Sequence, residues 1–130
     1  MLILSIRTDK PEAEIYLLAD GKQLAVDKWQ AHRLLSETIY IKIKKLLESH
    51  DKTLQQLDGI IVYKGPGSFT GLRIGISVAN AFADGLAIPI VGVSGSGWLK
   101  DGAKMLEAGQ NQKIALPNYG SPPHITRPKK

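Results

Sequence analysis

The chain has 130 residues, 43% hydrophobic and 22% charged, which is typical of one globular domain with a single core. It has no cysteine, which excludes disulfides, thiolate catalysis and thiolate metal ligands, and no apolar run reaches the ~18 residues of a membrane span. The net charge of +5 is concentrated near the C-terminus, because residues 113–130 carry four cations and no acid whereas residues 1–112 carry 13 cations and 12 acids.

The first 30 residues predict an antiparallel meander of three strands. Residues 2–6 are expected to form an apolar first strand and residues 13–19 a second. Residues 23–29 are expected to form a third strand, whose alternating apolar and polar residues suit a strand with one solvent-exposed face. Asp20-Gly21 lies between the second and third strands and is a strong hairpin signal, since both central positions of a type I′ turn need positive φ.

Residues 31–48 predict a first helix with two apolar flanks. One stripe is formed by Leu35, Ile39, Ile43, Leu46 and Leu47, and a second by Leu34, Thr38 and Ile41. A helix with two apolar flanks has more apolar surface than one sheet covers, which indicates a partner.

The remaining elements predict the topology. A capping box at Thr53 to Gln56 precedes a buried strand at residues 59–63, a helix at 72–86 that stops near Gly85, a strand at 88–93 and a helix at 98–108. A meander followed by crossover units predicts an α/β fold with a mixed five-stranded sheet, strand order 3-2-1-4-5, and helices over one face. We expect residues 1–108 to form the domain and residues 109–130 to form an extended basic, proline-rich tail.

A glycine-rich elbow, Lys64-Gly65-Pro66-Gly67-Ser68-Phe69-Thr70-Gly71-Leu72-Arg73-Ile74-Gly75, joins the strand at 59–63 to the second helix. Such an elbow can bind phosphate through free amides and a helix dipole. However, its spacing matches neither a Walker loop nor a dinucleotide fingerprint. We favour a packing role, in which Gly71, Gly75 and Ala79 form a stripe of small residues that lets another backbone approach closely.

Few other side chains suggest chemistry. His32, His50 and His124 lack the spacing of metal ligands, so we expect no metal site. Ser68 and Thr70 have no histidine nearby in sequence, which favours helix capping over nucleophilic catalysis.

Arg73 and the two tryptophans have competing interpretations. Arg73 could bind a phosphate or a partner carboxylate, or form a salt bridge within the fold, and the sequence favours neither. Trp29 and Trp98 are expected to anchor the core or its edge, since no basic, aromatic-rich patch surrounds them.

As one string, residues 65–75 resemble the signature of the TsaB (YeaZ) family of tRNA threonylcarbamoyladenosine (t6A) biosynthesis proteins, and the similarity extends from residue 1 to about residue 96. The resemblance implies an actin-like, ribonuclease-H-like (ASKHA) domain, usually followed by a second one. It also implies a non-catalytic subunit that activates TsaD, the enzyme that transfers a threonylcarbamoyl group to tRNA. A small ATPase, TsaE, joins the same assembly. Grouping of the family with M22-type peptidases does not establish proteolysis.

The resemblance also implies which residues act. It implies no catalytic residue, metal or cofactor, and a dimer surface on the first two helices. The matching positions for this partner interface are Leu35, Ile39, Ile43, Leu72, Gly75, Ile76 and Ala79. The family motif loop corresponds to Gly65, Pro66, Gly67, Ser68, Phe69, Thr70, Gly71 and Arg73.

Two features depart from the family pattern. Ile6-Arg7-Thr8-Asp9 has a cation where the family has an aspartate, which argues against a nucleotide site. The second domain is absent, and residues 115–120 resemble the family's C-terminal Pro-x-Tyr segment, so we expect an internal loss of that domain.

The sequence therefore predicts a cytoplasmic scaffold that pairs with a TsaD-like enzyme, with a TsaE-like ATPase in the assembly and a homodimer in isolation. Contact with tRNA is expected to be indirect or through the basic tail. Two alternatives stay open: a minimal nucleotide-binding hydrolase that uses the loop from Gly65 to Gly71, and a homodimeric remnant without a pathway role.

Overall fold

A computed structural model describes residues 1–119 and contains one five-stranded sheet. The strands are β1 (Leu2–Arg7), β2 (Glu12–Ala19), β3 (Lys22–Gln30), β4 (Gly59–Tyr63) and β5 (Ile90–Val93). Their order is β3-β2-β1-β4-β5, with β2 antiparallel to both β1 and β3, and β4 parallel to both β1 and β5. The predicted strand order is therefore confirmed.

The helices are α1 (Leu35–Glu48), α2 (Phe69–Leu86) and α3 (Trp98–Glu107), and two short 3-10 turns span His32–Leu34 and Leu54–Gln56. The predicted capping box is present, because the Thr53 amide donates to Gln56 Oε1 at 2.8 Å. The hairpin is also confirmed, since Asp20 and Gly21 have φ values of 53° and 80°. None of the helices within residues 1–119 is long and apolar enough to cross a membrane.

The helices cover both faces of the sheet, so the prediction that they cover one face was wrong. On one face, α1 meets β3, where Trp29 Nε1 donates to Thr38 Oγ1 at 3.0 Å. On the opposite face, α3 packs Gly102 against Ile61. Because β1 and β4 are apolar on both sides, each side of these central strands needs a covering layer.

The ends of α2 differ from the prediction. The helix begins at Phe69, three residues earlier than expected, and Ser68 occupies the N-cap position without a side-chain capping bond. It ends at Leu86, where Ala87 adopts the left-handed conformation at φ 55°, while Gly85 lies within the last turn. The cap is therefore provided by a strained alanine rather than by the glycine that the sequence favoured.

Residues 111–119, called here the C-terminal segment, pack onto the domain past the predicted boundary at residue 108. The Gln112 amide donates to the Ile90 carbonyl at 2.9 Å, and the Gln112 side chain accepts from the Gly92 amide at 2.9 Å. The Asn118 amide donates to the Lys64 carbonyl at 2.7 Å. The segment thus covers the edge of β5. The rest of the predicted tail, residues 120–130, lies outside the described residues.

Candidate partner surface and motif loop

Residues 64–68, which contain the first four residues of the family motif loop, leave β4 at the edge where the parallel strands β1, β4 and β5 all end. The Gly65-Pro66 peptide is cis, and Gly65 has a φ of 115° that favours glycine. The Lys64 amide donates to the Val93 carbonyl at 2.8 Å, and the Ser94 hydroxyl donates to the Gly65 carbonyl. The loop is therefore tied to the end of β5 as well as to β4.

The glycines of the loop and of α2 let the chain's own backbone approach. A Cβ on Gly67 would overlap Asp9, and a Cβ on Gly71 or Gly75 would overlap Thr8. The approach is fixed by two hydrogen bonds, from the Ser68 amide to the Asp9 carbonyl at 2.9 Å and from Thr8 Oγ1 to the Gly71 carbonyl at 2.7 Å. The predicted packing role thus has an intramolecular partner, the turn after β1.

That turn holds a paired cation and acid. Arg7 Nε donates to Asp9 Oδ1 at 2.8 Å and its terminal nitrogen donates to Asp9 Oδ2 at 3.1 Å. The guanidinium carbon lies 3.9 Å from the Tyr63 ring centroid. This hydrogen bonding raises the pKa of Arg7 above its ordinary value, although burial opposes the shift. The Asp9 carboxylate is therefore paired with a cation of the same chain.

A buried aromatic cluster lies beside Arg7. Trp98 packs edge-on against Tyr16 and Tyr63, with both centroid distances 5.7 Å. Burial, followed by the hydrogen bond that the phenol donates to Glu14, raises the pKa of Tyr16. The prediction that Trp98 anchors the core is confirmed, since its side chain is buried. Trp29 is half-buried at the sheet edge, which also agrees with its predicted role.

The structure buries the residues that the resemblance assigned to a partner interface. All seven lie on the core-facing sides of α1 and α2: Leu35, Ile39, Ile43, Leu72, Gly75, Ile76 and Ala79. The helical period correctly selected apolar stripes, but these stripes pack against the sheet. A partner on this pair of helices would meet the residues beside them, and the interface itself stays a prediction.

A different set of apolar side chains is accessible on the same two helices and on the 3-10 turn before α1, which ends at Leu34. Leu34, Tyr40 and Ile41 are 55%, 49% and 53% exposed. On α2, three half-buried apolar residues recur every four positions: Ile74, Val78 and Phe82. We define the α1–α2 surface as Leu34, Tyr40, Ile41, Ile74, Val78 and Phe82.

The α1–α2 surface contains a groove and a ring pair. The Tyr40 and Phe82 rings stack with centroids 6.1 Å apart and so join the two helices. A cavity of about 350 Å³ lies beside them, lined by residues that include Ser36, Ile74 and Val78. A contribution of α2 was predicted, but through other residues: Ile74, Val78 and Phe82 were missed, although their four-residue recurrence was a visible signal.

The remaining predicted side chains lie near the surface. Arg73 is exposed, forms no ion pair within residues 1–119, and has its guanidinium carbon 5.4 Å from the Phe69 ring centroid. The salt bridge within the fold that was one interpretation of Arg73 is therefore absent from the described chain. His50 Nδ1 lies 3.3 Å from the Leu46 carbonyl oxygen, and His124 lies outside the described residues. The side chains that the structure describes, which do not include that of His32, hold no group of three or more histidine or acidic residues that could bind a metal.

Comparison with known proteins gives the family. Residues 29–113 match the family model described as TsaD, tRNA N6-adenosine threonylcarbamoyltransferase. The chain is 27% identical over 116 residues to the tRNA threonylcarbamoyladenosine biosynthesis protein TsaB of Haemophilus influenzae, covering 89% of this chain and 49% of that protein. It is 37% identical over 94 residues to TsaB of Bacillus subtilis, covering 72% and 41%.

Two further matches are a relative that is named as a transferase and a protein of solved structure. The tRNA N6-adenosine threonylcarbamoyltransferase of Geotalea daltonii is 34% identical over 110 residues, covering 72% of this chain and 32% of that protein. YeaZ from Pseudomonas aeruginosa superposes with a TM-score of 0.67 at 30% identity, covering 72% of this chain and 43% of that one.

The chain thus spans half or less of the length of these relatives. The YeaZ likeness and the family model confirm the predicted fold class, an actin-like, ribonuclease-H-like α/β domain. The chain therefore belongs to the tRNA N6-adenosine threonylcarbamoyltransferase family, in which its relatives place it with the TsaB (YeaZ) proteins.

Proposed function

We propose that this chain is a non-catalytic subunit in t6A biosynthesis that pairs with a TsaD-like enzyme through the α1–α2 surface. The observation that carries the proposal is the exposure of Tyr40 and Ile41 on helices whose opposite sides are fully used by the core. Clustered apolar side chains in water favour association. The names of the relatives supply the pathway and the class of partner.

The proposed contact is a helix-to-helix interface. Ile41 and the Tyr40–Phe82 ring pair would provide its apolar centre, and the groove beside Val78 would accept a side chain from the partner. Aromatic and large aliphatic residues in such central positions commonly provide most of the binding energy. A TsaE-like ATPase would join the same assembly, and contact of this subunit with tRNA would be indirect or include the basic tail.

The test is reconstitution with the TsaD-like enzyme encoded by the same genome. We expect a stable heterodimer, and threonylcarbamoyl transfer to tRNA that depends on this chain. Ile41→Glu should weaken the heterodimer about ten-fold or more, because it places a charge in the apolar centre. Val26→Glu is the matched control, since Val26 is also an exposed apolar residue but lies on β3.

The outcomes separate the alternatives. Ile41→Glu binding as tightly as Val26→Glu would contradict the proposed surface, and transfer that is equally fast without the chain would contradict the proposed role. A homodimer that Ile41→Glu disrupts, without any heterodimer, would favour the homodimeric remnant.

The nucleotide-hydrolase alternative has less support from the geometry. The inner side of the loop from Gly65 to Gly71 contacts Thr8 and Asp9, and Gly65 contacts the Asn118 carbonyl, so backbone occupies the positions where a bound phosphate would approach. Asp9, the acid at the end of β1, is paired with Arg7. Calorimetry with ATP and magnesium tests this alternative, and micromolar binding by the isolated chain would revive it.

A further inference from the structure

Two aromatic rings from distant parts of the chain meet at the start of α2. Phe69 is 55% exposed and Tyr119 is 36% exposed, and their ring centroids lie 4.5 Å apart at an interplanar angle of 33°. These exposures mean that the rings contact each other and still present area to solvent. Their contact therefore contributes little to the core and leaves aromatic surface available to a ligand.

The pair is held in place from both sides. Phe69 is the first residue of α2, and Tyr119 follows Asn118, whose amide donates to the Lys64 carbonyl at 2.7 Å. Further back, the Asn80 side chain donates to and accepts from the backbone of Ala115, at 3.0 and 2.8 Å. Because backbone hydrogen bonds position the C-terminal segment, the rings do not have to be buried to stay together.

A cation lies beside the pair. The Arg73 guanidinium carbon lies 5.4 Å from the Phe69 ring centroid. The two segments that supply the rings, residues 64–80 and 108–119, contain Lys64, Arg73 and Lys113 and no acidic residue. Asp9, which contacts the loop at Gly67, is buried and bonded to Arg7. The rings therefore have the Arg73 cation beside them, and the two segments that supply them add no acid.

We propose that Phe69 and Tyr119 form a stacking platform for unpaired bases of RNA, with Arg73 contacting a flanking phosphate. Exposed aromatic faces among cations are the combination by which proteins bind single strands, because every base has a π-face and every nucleotide a negative charge. A binding site for an acidic protein would use the positive charge but would not need exposed ring faces, so the exposed rings favour RNA. The choice of RNA over DNA rests on the proposed function, whereas the platform itself does not.

The experiment measures binding of the full chain, without any partner protein, to a fluorescently labelled mixed-sequence 12-nucleotide RNA and to the same RNA annealed to its complement. We expect the single strand to bind at least ten-fold more tightly than the duplex. Replacing both rings with leucine, Phe69→Leu with Tyr119→Leu, should weaken single-strand binding by about ten-fold or more. Tyr40→Leu, which removes an exposed ring from the α1–α2 surface, should bind like the wild type.

The single variant Arg73→Gln tests the proposal independently, in case the double mutant does not fold. Arg73→Gln should lower the slope of log affinity against log salt by about 0.7, whereas Lys45→Gln on α1 should not change it. Equal binding by the ring double variant and the wild type would overturn the proposal, as would equal binding of duplex and single strand. Because the RNA-binding assay contains no partner protein, a failure to bind RNA would not argue against the heterodimer. Likewise, a failure to form the heterodimer would not argue against RNA binding.

Discussion

Individual residues show that the motif loop is held in shape by close packing inside the chain. Gly71 and Gly75 sit where a Cβ would overlap Thr8, so the α2 backbone lies directly against the turn after β1. In contrast, a Cβ on Gly85 would meet no atom within 4 Å, and Gly85 does not adopt positive φ. The two kinds of glycine on one helix should therefore respond oppositely to alanine.

We expect Gly71→Ala to destabilise the protein by about 1–3 kcal/mol, because the added methyl group meets the rigid Thr8 carbonyl and must displace backbone. Gly85→Ala should stabilise it by about 0.5–1 kcal/mol, since alanine loses less backbone entropy in a helix. Chemical denaturation of both variants measures the difference. Equal effects in the two variants would show that the contact with Thr8 does not constrain the loop.

Tyr16 gives a prediction for alkaline pH. Burial and the hydrogen bond to Glu14 raise the pKa of its phenol, so the folded state holds this proton more tightly than the unfolded chain does. The stabilisation is complete below the unfolded pKa of about 10 and is lost as pH rises from there towards the folded pKa. The free energy of unfolding should fall by up to about 1.4 kcal/mol per pH unit above ~10 from this group.

The measurement compares unfolding free energies from pH 8 to 11 in the wild type, Tyr16→Phe and Tyr63→Phe. Tyr16→Phe should be less stable at pH 8, where it leaves the Glu14 carboxylate without its phenol donor, but its stability should decline less steeply at high pH. Tyr63→Phe is the control for loss of a phenol from the same aromatic cluster. Parallel curves for the wild type and Tyr16→Phe would rule out the linkage.

At the scale of elements, hydrophobic periodicity predicted most of the fold. The strand order and the existence and approximate bounds of all five strands and three helices followed from apolar runs, the Asp20-Gly21 hairpin and the rule that sequential elements pack together. Helix ends were less predictable, because Ala87 can adopt positive φ when tertiary contacts require it. The packing of α3 on the opposite face was missed, although the continuous apolar run of β4 indicates a strand buried on both faces.

For the α1–α2 surface, the sequence predicted the helices involved but not which of their residues are exposed. A helical period identifies apolar stripes, but it does not say which stripe faces the sheet. Leu35, Ile39 and Ile43 were assigned to a partner and are buried, whereas Ile41, from the second stripe, is exposed. The meeting of Phe69 with Tyr119 had no local signal, since about 50 residues separate them and residues 109–130 were expected to form an extended tail.

Asn80 connects α2 to the C-terminal segment and provides the prediction at this scale. Asn80→Ala should cost about 1–3 kcal/mol, because it leaves both backbone polar groups of the buried Ala115 without their partners. Hydrogen exchange followed by mass spectrometry should show faster exchange in residues 111–118 and unchanged exchange in β1. Ser77→Ala, an exposed position on the same helix, is the control. Unchanged protection of residues 111–118 in Asn80→Ala would show that the segment is held by other contacts.

At the scale of the whole molecule, α2 organises the functional surfaces. Its core side packs on the sheet, one flank joins α1 through the Tyr40–Phe82 ring pair, and the other flank holds the C-terminal segment through Asn80. The motif loop at its start is fixed to β5 through Val93 and Ser94. A partner on the α1–α2 surface would therefore bind a helix that is braced on three sides, which limits the conformational entropy lost on association.

Partner binding should consequently stabilise the entire domain. A partner that binds only the folded chain, at a free concentration one hundred times the dissociation constant, adds about 2.7 kcal/mol to its unfolding free energy. Core amides of β1 and β4 that exchange through global unfolding should then exchange about 100-fold more slowly. Mass spectrometry resolves these peptides from those of the partner. The same concentration of TsaD-like enzyme should protect Val26→Glu fully and Ile41→Glu about ten-fold less, since the proposed contact covers α1 and leaves β3 uncovered. Equal protection of the two variants would place the contact elsewhere on the domain, and protection confined to peptides of α1 and α2 would mean that those helices open independently of the sheet.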